Sequence, residues 1–275
     1  MELPSQPIER RSMGLAYELD GTLAVLTLDN APENRIDEVT LEDAEQALLR
    51  LRSGVADNTV RAVLLRGAGE VFSAGADAAQ LVREGAGVGV VTARFMRVVH
   101  GIEALPVPTV AAVHGMCLAG GFELALSADL LIAQEGTLFG LPESRLGIMP
   151  LGGGVQRLAE RAGPGRALQM VYLTEVKPAE TLYDWGVVSQ VLQKDGFLEA
   201  SRSIAEKLAV GPTQAHAATK ALVRGWRTGG IPVADALLAE VTEPLFGTED
   251  ARLGFTAYAN VPGGQRVPAP NFVGR

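Results

Sequence analysis

Residues 109–134 read TVAAVHGMCLAGGFELALSADLLIAQ. TVAAVHG is a run of small and β-branched residues and reads as a buried strand. MCLAGG is a glycine-punctuated loop, FELALSA a short helix that the loop opens, and DLLIAQ a second strand. Strand and helix thus alternate within 26 residues. Such alternation argues for an α/β layer architecture rather than a bundle or a sandwich.

The same rhythm extends both ways. Residues 14–30 read as two short strands joined by Asp20-Gly21, a strong hairpin signal. Thr40 is expected to cap a helix, with Asp43 three residues on as an imperfect capping box. Leu41, Ala44, Leu48 and Leu51 supply its apolar stripe, and Gly54 is its expected end. VRAVLLR (60–66) is a strand, GAGEVFSAGAD a strand and loop, and residues 88–104 a helix stopped by Pro106 and Pro108. Downstream, TLFGLPE reads as a strand and GGGVQRLAERAG as a helix. The rhythm has no fixed period, so a solenoid is not supported. Residues 197–209, 212–227, 232–246 and 248–259 then read as helices, before a Pro/Gly-rich tail. The expected organisation is an α/β core over residues 1–195 and a helical C-terminal region over 196–275.

Composition narrows the function. The formal charge is −8 and no basic stripe is visible, which argues against a nucleic-acid partner. Cys117 is the only cysteine, so an internal disulfide and a cysteine-built zinc site are excluded. His100, His114 and His216 lack metal-ligand spacing, so no metal site is expected. The N-terminal stretch MELPSQPIERRSMG does not resemble a signal or transit peptide. No apolar run approaches the ~20 residues of a membrane span. The expectation is a cytoplasmic protein with no membrane association.

Two glycine-rich loops carry the chemical interest, FSAGAD (72–77) and LAGGFE (118–123). Small residues let a ligand approach the backbone, and a helix start aims free N–H groups at negative charge. One amide from each loop can bracket a carbonyl oxygen as it becomes an oxyanion. Taken alone, either loop is equally readable as an ordinary turn. Neither is a P-loop, and no GxGxxG follows the first strand. Glu123 lies in the first turn of an apolar helix, and Glu143 follows Pro142 among apolar neighbours. Either can be a plain helix-dipole or turn residue. Apolar surroundings raise a carboxyl pKa, and two converging carboxyls can divide acid and base roles.

These residues together resemble the enoyl-CoA hydratase/isomerase (crotonase) superfamily over nearly the whole chain. The matching stretches are LTLDNAPENRID, FSAGAD, AAVHGMCLAGGFELALSADLLIA and FGLPESRLGIMPLGGGVQRLAERAG. The resemblance implies an α/β, crotonase-like spiral of ββα turns whose C-terminal helices assemble homotrimers or hexamers. It implies an oxyanion hole from the amides of Ala76 and Gly120, holding the thioester carbonyl of an acyl-CoA. It puts Glu123 and Glu143 where hydratases keep two catalytic carboxylates. Asn34, Arg35 and Ile36, with the segment Ala74–Ala78 that includes Asp77, match the part that grips coenzyme A. Leu118, with Phe95, Met96 and Met116, is a candidate for the acyl pocket, although each reads equally well as core.

The activity implied is reversible addition of water across the 2,3 double bond of an acyl-CoA, a lyase reaction of fatty acid metabolism. No cofactor is implied beyond the coenzyme A that the substrate carries. Leu151 departs from the family, whose hydratases usually have glycine after the corresponding proline. Its bulk is expected to alter the acyl pocket or the water site. Isomerase, decarboxylase and thioester hydrolase activities share the same oxyanion hole and stay open at this point. So does a non-catalytic acyl-CoA-binding role.

Overall fold

The computed structural model describes residues 14–77, 87–262 and 265–275. The chain opens on β1 (Leu15–Asp20) and β2 (Leu23–Leu28), an antiparallel hairpin that turns at the expected Asp-Gly. Parallel strands β3 (Ala62–Gly67) and β4 (Thr109–Val113) extend the sheet from β2. β5 (Met116–Leu118) and β7 (Leu138–Gly140) pair in parallel, and β8 (Val176–Pro178) joins β7 antiparallel. β6 (Leu130–Gln134) and β9 (Gln190–Leu192) complete a six-stranded sheet in the order β1-β2-β3-β4-β6-β9. The second sheet has the order β5-β7-β8.

Alternation along β2 explains why the large sheet is buried on both faces. Ala24, Leu26 and Leu28 join the main core, whereas Leu23 and Val25 join a smaller cluster on the other side. A period of two sends neighbouring side chains to opposite faces, and a parallel sheet needs cover on each. α1 (Glu38–Ala56) and α2 (Val88–Glu103) contribute Leu48, Leu51, Val99 and Ile102 to the main core. The other face is covered by Phe197, Ala205 and Ala209 of α7 (Phe197–Ala209).

Between these lie α3 (Gly120–Ala125), a 3₁₀ turn (Pro142–Leu146), α4 (Gly154–Ala162), α5 (Pro164–Tyr172) and α6 (Ala179–Asp184). The chain then runs into α8 (Thr213–Phe246) and α9 (Glu249–Ala259). α8 breaks at Gly229 and Gly230, where the sequence predicts a gap between two helices.

Three local expectations are corrected. Asp37, not Thr40, caps α1: its Oδ1 accepts from the Thr40 amide at 2.8 Å. Gly54 lies within α1, which ends at Ala56. Met116–Leu118 is a strand rather than loop, because it finds a partner in β7. The Pro/Gly-rich tail is also docked. Asp250 accepts from the amides of Val273 and Gly274, and Arg61 donates to the Phe272 carbonyl.

Candidate active site

The two glycine-rich loops are sewn together by their backbones. Leu118 N donates to Ser73 O at 2.9 Å, and Ser73 Oγ donates to Asn34 O at 2.7 Å. Ile36 N donates to Gly75 O at 2.9 Å. Gly75 has φ +90°, and a Cβ there would lie 2.7 Å from Ala119 Cβ, so both conformation and space require glycine. Ala119 itself sits at φ 49°, ψ −129°, which L residues rarely adopt. Such a conformation costs about 1–3 kcal/mol and persists only where surrounding structure enforces it. Here the Ala119 amide is tied to Gly140 O at 2.9 Å.

This stitching brings Ala76 N and Gly120 N to one place: a Cβ on Gly120 would lie 3.5 Å from Ala76 N. Among the described residues, neither amide donates to a backbone carbonyl. Both residues line a cavity of about 110 Å³, which Glu123 and Glu143 also line. Ile36, Phe95 and Leu151 contribute apolar wall.

The two carboxylates are buried differently. Glu123 is 3% exposed, and its Oε1 accepts from Gly152 N at 2.7 Å and Gly154 N at 2.8 Å. Burial raises its pKa, while those amides and the Arg157 charge pull it back. Glu143 is 9% exposed, and its Oε2 has no hydrogen-bond partner among the described residues. Burial first, and the Glu123 charge to a lesser degree, push the Glu143 carboxyl up to about 7. One carboxyl therefore has ready-made support for its anion, and the other is poised to hold a proton near neutrality.

Other expected site residues fall into place unevenly. Asp77 lines the cavity and carries an interaction of its own. Asn34 is 1% exposed, accepts from Asn30 N, and donates to the carbonyls of Ala68 and Val71. Its polar atoms are engaged within the chain, so its contribution is to fix the loop that carries Ile36. Arg35 is half-buried and pairs with Glu33. Ala74 is half-buried, with its amide on Glu33 O. Leu118 packs near Gly140 rather than on the cavity wall. Ala78 lies outside the described residues. His114 Nε2 meets Gly69 O at 2.9 Å, and Cys117 is fully buried; both are core. Sequence reading missed Val91, Thr92, Leu146 and Met149 on the wall.

Ala76, Gly120, Glu123 and Glu143 thus share the lining of one largely apolar cavity, an arrangement chemically able to receive a polarisable carbonyl. The family model for enoyl-CoA hydratase/isomerase matches residues 18–261, and the chain belongs to that family. It is 33% identical to a short-chain-enoyl-CoA hydratase of Clostridium acetobutylicum, over 88% of this chain and 92% of that protein. It is 35% identical to a carnitinyl-CoA dehydratase of Salmonella typhimurium, over 81% and 84%. Its fold superposes on the crystal structure of an enoyl-CoA hydratase from Bacillus anthracis with a TM-score of 0.87. That match covers 95% of this chain and 100% of the other, at 26% identity. The α/β crotonase fold and its helical C-terminal region agree with the reading of the sequence. Among the described residues, no helix is long and apolar enough to cross a membrane.

Proposed function

We propose that this protein is an enoyl-CoA hydratase that adds water reversibly across the 2,3 double bond of an acyl-CoA thioester. The observation that carries this reading is the pairing of Glu123 and Glu143 on one cavity with the amides of Ala76 and Gly120. The amides form the oxyanion hole and receive the thioester carbonyl oxygen as negative charge moves onto it. Loss of one such donor costs about 10²–10³ in rate. Ionised Glu123 takes a proton from water as the oxygen attacks C3. Protonated Glu143 delivers a proton to C2. The hydroxyl ends on C3 and the hydrogen on C2, so the sum is one water with no further reactant or cofactor.

Asp77 and the loop of Arg35 and Ile36 contribute to holding coenzyme A in this reading. The chain works as a homotrimer or hexamer. Exposed apolar side chains on α5 and on the C-terminal helices, among them Tyr172, Leu173, Phe246 and Tyr258, support self-association. A single buried cysteine suits a reducing compartment, and we assign the enzyme to the cytoplasm.

The test is hydration of a panel of 2-enoyl-CoA thioesters beside isomerisation of a 3-enoyl-CoA. Hydration is expected, and Glu123→Gln and Glu143→Gln are each expected to lower it by about 10²–10⁴-fold while leaving CoA binding intact. Near-normal hydration by either variant overturns the two-carboxylate mechanism. Isomerisation without hydration replaces the assignment.

A further inference from the structure

Arg157 is a cation in the interior of the fold. It is 5% exposed, and it lies one helical turn into α4. Its Nη1 donates to the Gly153 carbonyl at 3.1 Å, and its Nη2 donates to Glu103 Oε2 at the end of α2. Gly153 is left-handed at φ +86°, and a Cβ there would lie 2.1 Å from Nη1. The guanidinium thus fills the space against the turn that glycine leaves open. Gly153 stands between Gly152 and Gly154, whose amides grip Glu123 Oε1.

The other side of this arrangement is anchored on α8. Glu103 Oε1 accepts from Arg227 of α8 at 3.0 Å, and Arg227 also pairs with Glu160. A buried charge is costly unless paired and hydrogen-bonded. Here the pairing runs from α8 through Glu103 to Arg157 and ends at the turn beneath Glu123. The planar fork of arginine serves two acceptors at fixed angles, which a lysine ammonium does not reproduce.

We propose that Arg157 is a positioning residue for hydration, fixing the Gly152–Gly154 turn so that both amides meet Glu123 and supplying a positive charge beside that carboxylate. The inference rests on the assignment of Glu123 as the group that activates water. Burial raises Glu123, the Gly154 and Gly152 amides act against that rise, and the Arg157 charge adds to them to a lesser degree. The other charged groups around this arrangement are Glu143 and Asp77, which line the cavity with Glu123, and Glu103, Arg227 and Glu160 in the ion-pair chain behind Arg157.

The test compares Arg157→Met and Arg157→Lys with wild type in rate–pH profiles on a 2-enoyl-CoA that the wild type hydrates. Acetyl-CoA binding and thermal melting report on the fold. Arg157→Met removes both charge and fork. It is expected to lower kcat about 10²-fold, as a displaced catalytic group does, with KM little changed. The acid limb of its profile should move to higher pH. Arg157→Lys keeps the charge and is expected to hold the acid limb near its wild-type position while kcat falls about tenfold. If the methionine variant does not fold, the lysine variant decides: kcat within twofold of wild type overturns the proposal. An unmoved acid limb in a folded methionine variant overturns it as well. Failure of the underlying assignment looks different, because Glu123→Gln would then retain turnover.

Discussion

Gly152 and Glu123 are fitted to each other with no room to spare. The Gly152 amide donates to Glu123 Oε1 at 2.7 Å, yet a Cβ at position 152 would lie 2.8 Å from Oε2. The same Cβ would lie 2.2 Å from Phe95 Cε1. Glycine is required here so that backbone can approach a carboxylate closely from below while an aromatic ring packs from the side.

Gly152→Ala is therefore expected to displace Glu123 or Phe95. A misplaced catalytic group costs on the order of 10²-fold in kcat, and the overpacking costs about 1–3 kcal/mol of stability. Steady-state kinetics and thermal unfolding measure the two effects. Unchanged kcat with a lowered melting temperature would mean that Phe95 alone gives way.

The carboxyl environments predict a bell-shaped profile. The proposed mechanism uses ionised Glu123 and protonated Glu143. Activity should fall at low pH as Glu123 gains its proton, and above about 7 as Glu143 loses its own. Because the groups interact, the limbs belong to the pair rather than to either residue. Glu143→Gln should remove the basic limb from whatever activity remains.

The same burial affects stability. The Glu143 carboxyl is raised on folding, so its contribution is fully present below the unfolded pKa of about 4.3 and is lost as pH rises through about 7. Above that pH the folded protein holds a buried anion without a hydrogen-bond partner on Oε2 among the described residues. Glu143→Gln is expected to gain stability over wild type between pH 5 and pH 8, by on the order of 1–3 kcal/mol. Urea unfolding at the two pH values measures it, and an equal difference at both would put the effect in packing rather than charge.

Much of this was legible before any coordinates. The Asp20-Gly21 turn, the two strands it joins, and the meeting of Ile36, Ala76, Gly120, Glu123 and Glu143 follow from local signals and motif. Contacts that close over long sequence distances were not legible. β5 is three residues long and becomes a strand only by pairing with β7. Arg157 reads in GVQRLAERAG as one more helix cation, and its burial depends on Glu103, 54 positions away. Asn34 looks like a binding-loop amide, and its carbonyl partners at Ala68 and Val71 are 34 and 37 positions away. Asp37 and Thr40 are both good capping types, and the acid three residues earlier takes the role because its oxygen reaches the Thr40 amide.

Association is testable without knowing the substrate. Tyr172 and Tyr258 are each 70% exposed and belong to different helices, α5 and α9. Light scattering at micromolar concentration is expected to give the mass of three or six chains. A monomer would mean that these apolar residues are simply solvated.

Leu151 bears on the acyl group. It is half-buried on the wall of the cavity that holds both carboxylates, and it directly precedes Gly152, which holds Glu123. Its side chain therefore takes volume in the cavity that both carboxyls line while its neighbour's backbone holds Glu123. Replacing it with glycine enlarges the cavity without touching the Gly152 or Gly154 amides. Such an enlargement costs about 2–5 kcal/mol if the wall does not collapse. The wild type is expected to hydrate crotonyl-CoA weakly and to prefer another acyl shape. Leu151→Gly should raise kcat/KM on crotonyl-CoA, and a gain of about tenfold corresponds to 1.4 kcal/mol of transition-state stabilisation. Comparing both proteins on crotonyl-CoA and on the panel's preferred thioester separates a specificity effect from a general one. If crotonyl-CoA is already the preferred substrate of the wild type, or if the variant is unchanged on both, Leu151 does not select the acyl group.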